Sequence, residues 1–442
     1  MVYKMTQTLT TYDRYAEQYA GLSPSGPAWL GALRQKGFDN FARLGFPTAR
    51  KGNEAWKYTN VAPVARAELS LPTPESATCM ENVRSAVPWV DDWNTLVFVN
   101  GRFNSDLSNV HEPDGVRVSS LAQALDEDGE VVRGNVGTLA SVEDDGFAAL
   151  NTAFISDGAL IHLPAGARAD RPVHIAFVST SEENIVAHPR VLVVAGAESE
   201  STIIESYVSL GDNTYLNNGV AEFVVAEGAQ VDHYRLMDES DSAYHVGVVR
   251  VRQKDGSSFA SRAFYKGVGL GRHDLYVHIG DGCSTDLSGL YITSGSQHVD
   301  NFINIDHTKP NSISNLYYKG ILSGRSRAVF GGTVFVREGA IKTDALQSDK
   351  NLLLSPNAEV DSKPALFIWA DDVKCGHGAT AGNIDEETVY YMRSRGIDLE
   401  SASRLLIFGF ASEIIDTVEI PELHDYLERS FLDAIPRYEF SF

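Results

Sequence analysis

The densest group of chemically capable side chains lies in residues 365–380, which read ALFIWADDVKCGHGAT. Cys375 and His377 are two positions apart in an extended stretch, so alternation puts them on one face. There a thiolate and an imidazole could share a metal ion, or the imidazole could lower the thiol pKa. One Cys and one His are half of a closed tetrahedral set, so further ligands would have to come from Asp371, Asp372 or a second chain. On spacing alone the alternative stays open that this is a packed thiol beside a hydrogen-bonded histidine. A second group, His298, Asp300, Asp306 and His307, precedes Lys309-Pro310-Asn311-Ser312, and polar ladders at the corners of a strand coil are enough to explain it. Tyr317, Tyr318 and Lys319 read as ordinary strand residues, and Cys283 after Gly282 as a small buried side chain.

Several chemistries are missing their signatures. There is no GxxxxGK[ST] loop, GxSxG elbow or HExxH helix, which removes a built-in nucleotide hydrolase and the commonest hydrolase motifs. Gly267-Val-Gly-Leu-Gly271 has the wrong spacing for a dinucleotide loop and runs into a strand pattern, RHDLYVHI, so it reads as a turn.

The elements that would position these residues fall into three parts: residues 1–150, mixed and mostly helical; 151–382, β; and 383–442, helical. From about residue 12 to 50 the apolar period is helical, with Pro27 at a helix start and Leu30, Leu33, Phe38, Phe41 and Leu44 on one face. Trp93 to Phe103 reads as a hairpin about Asn100-Gly101. The acidic stretches Asp126–Glu130 and Glu143–Gly146 read as solvated loops.

After Asn151 short Val/Ile/Tyr/Phe-rich runs meet a recurring small-residue corner, with Gly at 166, 196, 228, 256, 282 and 339. The intervals are 30, 32, 28 and 26, and the last, 57, fits two turns with one corner disguised. Recurrence near 30 residues suits a parallel β-helix, whereas an antiparallel sandwich would turn every ~8–12 residues. The run Leu366–Val373 is the last apolar strand and hence a natural pairing edge. Past Gly382, Asn383 or Asp385 can cap a helix with Glu386 and Glu387 in its first turn. Leu399, Ala402, Leu406, Phe410 and Ile414 mark a second helix, and Leu423, Tyr426, Leu427 and Phe431 a third after Pro421. The tail carries more apolar surface than sixty residues can bury alone, so part should dock on the coil and part on a partner.

Composition bounds the function. The 442 residues carry 37 Lys plus Arg against 59 Asp plus Glu, a net charge of −22, which disfavours nucleic-acid and anionic-membrane binding. Three dispersed cysteines, Cys79, Cys283 and Cys375, exclude a disulfide framework and point to a reducing compartment. With no secretory pattern at the start and no long apolar run, a cytoplasmic protein is expected.

In series, several motifs resemble the SufB/SufD family of iron–sulfur cluster assembly scaffolds: Asn53-Glu-Ala-Trp-Lys-Tyr-Thr59, His307-Thr-Lys-Pro-Asn-Ser312, Tyr318-Lys-Gly-Ile-Leu322, Ser326-Arg-Ala-Val-Phe330, Lys342-Thr-Asp-Ala345, Leu352-Leu-Leu-Ser355, Ala370–Thr380 and Ser394-Arg-Gly396. The resemblance implies a mainly β fold, a right-handed parallel β-helix between helical N- and C-terminal domains. It also implies a non-catalytic scaffold subunit of the SUF system that pairs with a SufB-like paralogue and binds a SufC-like ATPase. A nascent iron–sulfur cluster would be built at the paralogue interface, with a histidine contributed at the position of His377. Cys375 stays open as a ligand or a packed thiol. The loop Leu354-Ser-Pro-Asn-Ala-Glu-Val360 lacks the cysteine expected of SufB-like chains, so the resemblance is to the SufD side and this chain should not hold a cluster alone. A flavin in the complex and a homodimer of the isolated chain are left open. The rival readings are a β-helix carbohydrate lyase or esterase and a self-assembling structural β-helix.

Overall fold

The computed structural model describes residues 13–22, 26–49, 53–73, 78–111, 115–127, 129–180 and 184–436. Its core is a parallel β-helix with two walls. The first wall has ten strands and runs from Asn94–Val99, edged by the short return strand Arg102–Phe103, through Val173–Ser179, Glu200–Ser209, Gln230–Glu239, Ser258–Gly267, Ser284–Thr293, Ile313–Leu322 and Asp344–Leu353 to Lys374–Gly382. The second runs from Arg117–Ser120 through Gly158–Leu163 to Leu270–Ile279, His298–His307 and Arg327–Val336. It ends with Glu359–Ser362 and Ala365–Ile368, both paired to Arg327–Val336. All pairings along the coil are parallel. The exceptions are the two antiparallel partners at its start, so strands from within residues 94–120 join both walls.

One corner of the coil explains the 30-residue recurrence. A column of residues with φ between 54° and 74° runs Gly166, Glu198, Gly228, Gly256, Gly282, Asn311, Lys342 and Asp372. Each amide in the column, down to Lys342, donates to a carbonyl of the next turn, as in Gly228 N to Asp255 O (3.1 Å) and Asn311 N to Ile341 O (3.0 Å). The disguised corner is Asn311, a residue type that tolerates this left-handed geometry. Two glycines were expected in the wrong place. At the second and seventh turns the column residue is Glu198 and Lys342, two and three positions beyond Gly196 and Gly339.

Alternation within each strand sends one set of side chains into the coil, where Ile161, Val193, Ile203, Phe223, Val249, Leu275, Ile303, Phe330 and Val334 form one continuous core. The outer faces are covered by helices. Phe147, Leu150 and Phe154 of the buried helix Gly146–Ala153 and its end pack on Leu216, Val246 and Leu270 of the second wall, with Phe38 and Phe41 of the helix Ala28–Leu44 behind them. Of the stretch Asp126–Glu130, expected as a solvated loop, Asp126 and Glu127 end the short helix Leu121–Glu127, and Gly129 and Glu130 begin another, Gly129–Asn135. Val132 and Leu121 pack on Leu160 and Leu192, burial that offsets the unfavourable charge density.

The tail is helical as its period requires: Glu386–Ser394, Leu399–Ile415 and Pro421–Ala434. Asp385 is the cap of the first, its carboxylate accepting from the amides of Glu387 and Thr388. Ile407, Ala411, Ile414, Leu423, Leu427 and Phe431 cover Tyr234, Leu236, Phe264, Leu290, Ile292 and Ile321 on the outside of the first wall. Docking of the tail on the coil is thus observed. No helix of the described residues is long and apolar enough to cross a membrane.

Candidate functional site

Among the described residues the coil ends open, because nothing pairs with the outer edge of the last strand of each wall. Cys375 and His377 lie within one of these edge strands, Lys374–Gly382, and not on a loop beyond it. Cys375 is in register with Ala345 and His377 with Gln347. Both face inward as alternation demanded: Ala345 belongs to the interior core and Cys375 packs against it half-buried, while His377, at the mouth, is exposed. The flanking glycines leave room, since a Cβ at Gly378 would meet nothing within 4 Å and one at Gly376 only the tip of Leu346. The run Leu366–Val373, expected as the last strand, is strand only to Ile368, because the chain turns through the left-handed Asp372 (φ 54°) into Lys374–Gly382. Phe367 and Ile368 of the strand Ala365–Ile368, and Trp369 just past it, are exposed.

Burial pushes the Cys375 thiol pKa up, the Asp344 charge adds to this, and a hydrogen bond with the Ala345 backbone opposes it. This direction is opposite to the lowering a neighbouring imidazole would give. Asp371 and Asp372 do not complete a metal set either. Among the described residues the only group of three Cys, His or carboxylate ligand atoms within 4.8 Å of one another is His424, Asp425 and Glu428 on the outside of the tail. Among the described residues no further Cys, His or carboxylate ligand atom joins Cys375 and His377 in a group of three.

The second sequence cluster is not at corners but within the wall strand His298–His307, and it is structural. The Thr59 hydroxyl donates to Asp300 (2.5 Å) and contacts His298 Nε2 (3.0 Å), while Arg272 pairs with Asp300 and lies 3.9 Å from the Trp56 ring centroid. These contacts pin the NEAWKYT stretch to the second wall. Asp306 accepts two bonds from Arg337 (2.7 and 2.9 Å), and His307 Nε2 meets the Ser314 hydroxyl at 2.9 Å. Cys283 is buried, with Sγ 3.1 Å from the Lys254 carbonyl, and Cys79 is exposed at a helix start.

Lys319 is more than a strand residue. Its buried ammonium donates to the Phe410 carbonyl (2.7 Å) and pairs with Glu413 (2.6 Å), and Glu413 also accepts from the Tyr317 hydroxyl (2.6 Å). This ties the tail to the first wall.

Sequence reasoning missed the polar residues inside the coil. Glu205 accepts from Arg235 (2.8 Å) and Tyr207 (2.9 Å), Arg235 reaches His245, and His245 meets Glu239 at 2.6 Å, all buried. Burial alone would raise the Glu205 pKa, but Arg235 and His233 hold it down at about 2. Nearer the mouth, Gln347 and Asp349 face inward from Asp344–Leu353, one turn beneath His377. Gln347 Nε2 donates to the Ala365 carbonyl (3.0 Å) and lies 3.4 Å from His377 Nδ1. Asp349 accepts from Ser362 (2.7 Å) and Asn351 (2.8 Å). The string ALQSDKN shows no apolar alternation, so only the register with neighbouring turns reveals which side points in.

Fold and mouth together define a parallel β-helix protein with an open, histidine-bearing end and helical flanks, a form that offers edges to another chain. Its sequence matches the family described as SUF system FeS cluster assembly, SufBD core domain, over residues 177–410, and the SufBD protein N-terminal region over 5–175. The chain belongs to the SufBD family. It is 30% identical over 388 residues to the iron–sulfur cluster assembly protein SufD of Escherichia coli (strain K12), covering 87% of this chain and 88% of that protein. It is 27% identical over 403 residues to SufD of Bacillus subtilis (strain 168), covering 89% and 91%. A SufBD family protein of Synechocystis is 30% identical over 424 residues, 93% of each chain. Within the family this chain is SufD-like.

Proposed function

We propose that the chain is a non-catalytic scaffold subunit for iron–sulfur cluster assembly. It pairs through the open end of its coil with a SufB-like paralogue, binds a SufC-like ATPase through its helical tail, and presents His377 where the nascent cluster is built. The observation that carries the reading is the place of His377: exposed, on an unpaired edge strand, between glycines that let another backbone approach. A half-complete ligand set at such an edge is completed by a second chain, and a neutral imidazole is a competent iron ligand there. Support for the ATPase surface comes from the tail. Its first helix leaves Tyr390 and Tyr391 75% and 59% exposed, and Leu405 of the second is 53% exposed, on the side turned away from the coil contacts. Membership in an assembly family favours this reading over a β-helix lyase or esterase.

The test is His377→Ala in a complex co-expressed with SufB-like and SufC-like chains and isolated anaerobically. Pairing should survive while iron and acid-labile sulfide fall sharply, and Cys79→Ala, remote from the mouth, should change neither. Wild-type iron and sulfide in the His377→Ala complex would remove the role proposed for this residue.

A further inference from the structure

The polar residues one turn inside the mouth carry atoms that nothing among the described residues satisfies. Gln347 Oε1 and Asp349 Oδ1 are buried and accept no hydrogen bond, although the residues are 3% and 0% exposed. Buried polar atoms of native proteins are nearly always partnered, so two unpartnered acceptors side by side on one inward face point to a ligand that donates or is positive. Their neighbours fix the geometry. Gln347 is in register with His377 and Asp349 with Ala379, so Gln347, Asp349 and His377 occupy adjacent inward positions of two paired strands, with Cys375 next to His377. Ala379 and Gly378 are small and exposed, which leaves only a thin cover between Asp349 and the mouth. The remaining bonds of both side chains hold them in place: Gln347 through Ala365, and Asp349 through Ser362 and Asn351.

We infer that the mouth of the coil is a divalent-cation site, with Gln347 Oε1, Asp349 Oδ1 and the His377 imidazole as this chain's ligands and ferrous iron as the cargo it would accept. Two oxygens and one nitrogen suit a hard or borderline divalent ion such as Fe(II), whereas a sulfur-rich set would suit a finished cluster. The inference rests on the reading of His377 given above and deepens it: iron enters at an oxygen-bearing site inside the mouth before sulfur is supplied at the interface. Because Asp349 brings a carboxylate whose recorded partners among the described residues are the neutral Ser362 and Asn351, the site is electrostatically incomplete until an ion binds.

Co(II), a spectroscopic substitute for Fe(II), tests this on the isolated full-length chain after chelator treatment. A His424→Ala background removes the exposed His424, Asp425 and Glu428 group from the titration. One Co(II) per chain with d–d absorption is expected. Asp349→Asn, which keeps shape and the bonds to Ser362 and Asn351, should weaken binding about tenfold or more, as should Gln347→Leu. Far-UV circular dichroism of each variant checks that the coil is intact. Absence of Co(II) binding by the parent chain would show that water alone satisfies these atoms, and unchanged binding by Asp349→Asn would place the ion elsewhere; either result overturns the site. Cluster content of the His377→Ala complex is read separately, so an interface without His377 chemistry and a mouth without a cation site fail in different experiments.

Discussion

Asp349→Asn also makes a stability prediction that can be worked from its surroundings. Burial pushes the Asp349 pKa from 3.8 up to about 6, and hydrogen bonds from Ser362 and Asn351 only partly oppose this. The partners recorded at this carboxylate are neutral: Ser362, Asn351 and, beyond Asn351, the Tyr291 hydroxyl. Since the folded-state pKa lies above the unfolded value, the folded chain holds a proton between about pH 4 and 6 that the unfolded chain has released. Wild-type stability from this group is therefore full below pH 4 and is lost as pH rises through about 6. At ~1.4 kcal/mol per pH unit the shift corresponds to an upper figure of about 3 kcal/mol against the folded state at neutral pH. Asn carries no charge to desolvate and keeps an oxygen for Ser362 and Asn351. In metal-free protein, urea unfolding followed by tryptophan fluorescence should find Asp349→Asn more stable than wild type by about 1–3 kcal/mol at pH 7.5. At pH 4 the difference should nearly vanish. A variant less stable than wild type at pH 7.5, or a difference that does not change with pH, would refute the reasoning. A stabilising substitution at a buried site is what a residue kept for function should show.

Lys319→Met should loosen the tail from the first wall, since the Phe410 carbonyl loses its donor and Glu413 its partner; the loss of about 1–3 kcal/mol should appear as faster hydrogen exchange in Leu399–Ile415. Removing residues 383–442 would instead expose Phe264, Leu290 and Ile321, so ATPase capture is better tested with Tyr390→Ala and Tyr391→Ala, which should abolish it without changing the melting temperature. Gly158→Ala should be severely destabilising, because its Cβ would lie 1.8 Å from the Arg190 carbonyl oxygen at a φ of 153°. Lys342→Gly, which relieves a left-handed residue at φ 59°, should be neutral or stabilising by up to ~1 kcal/mol in a thermal melt.

Much of the fold was legible from local chemistry. Gly166, Gly228, Gly256 and Gly282 announced a left-handed corner because glycine adopts it without a Cβ penalty, and their spacing implied a coil of parallel strands. Asp385, Gly396 and Pro421 marked helix ends because orphaned amides, a left-handed C-terminal turn and a missing N–H each select a residue type. Cys375 and His377 shared a face because strand side chains alternate with period two. Where corner chemistry came from Glu198 and Lys342, the signal was weaker, since the neighbouring turns supplied the stabilising hydrogen bonds. Register lay beyond local pattern. The pairing of Asn94–Val99 with Val173–Ser179 joins segments some eighty residues apart, and nothing nearby in the chain encodes it. The same holds for Thr59 on Asp300, Lys319 on Glu413, and above all for Gln347 and Asp349 beneath His377. Sequence by itself determined the turn, the period and the alternation, because these depend on backbone sterics within a few residues. Only the tertiary structure decided which polar residues face inward and meet, because a one-residue change of register between turns would send every one of them to the opposite face.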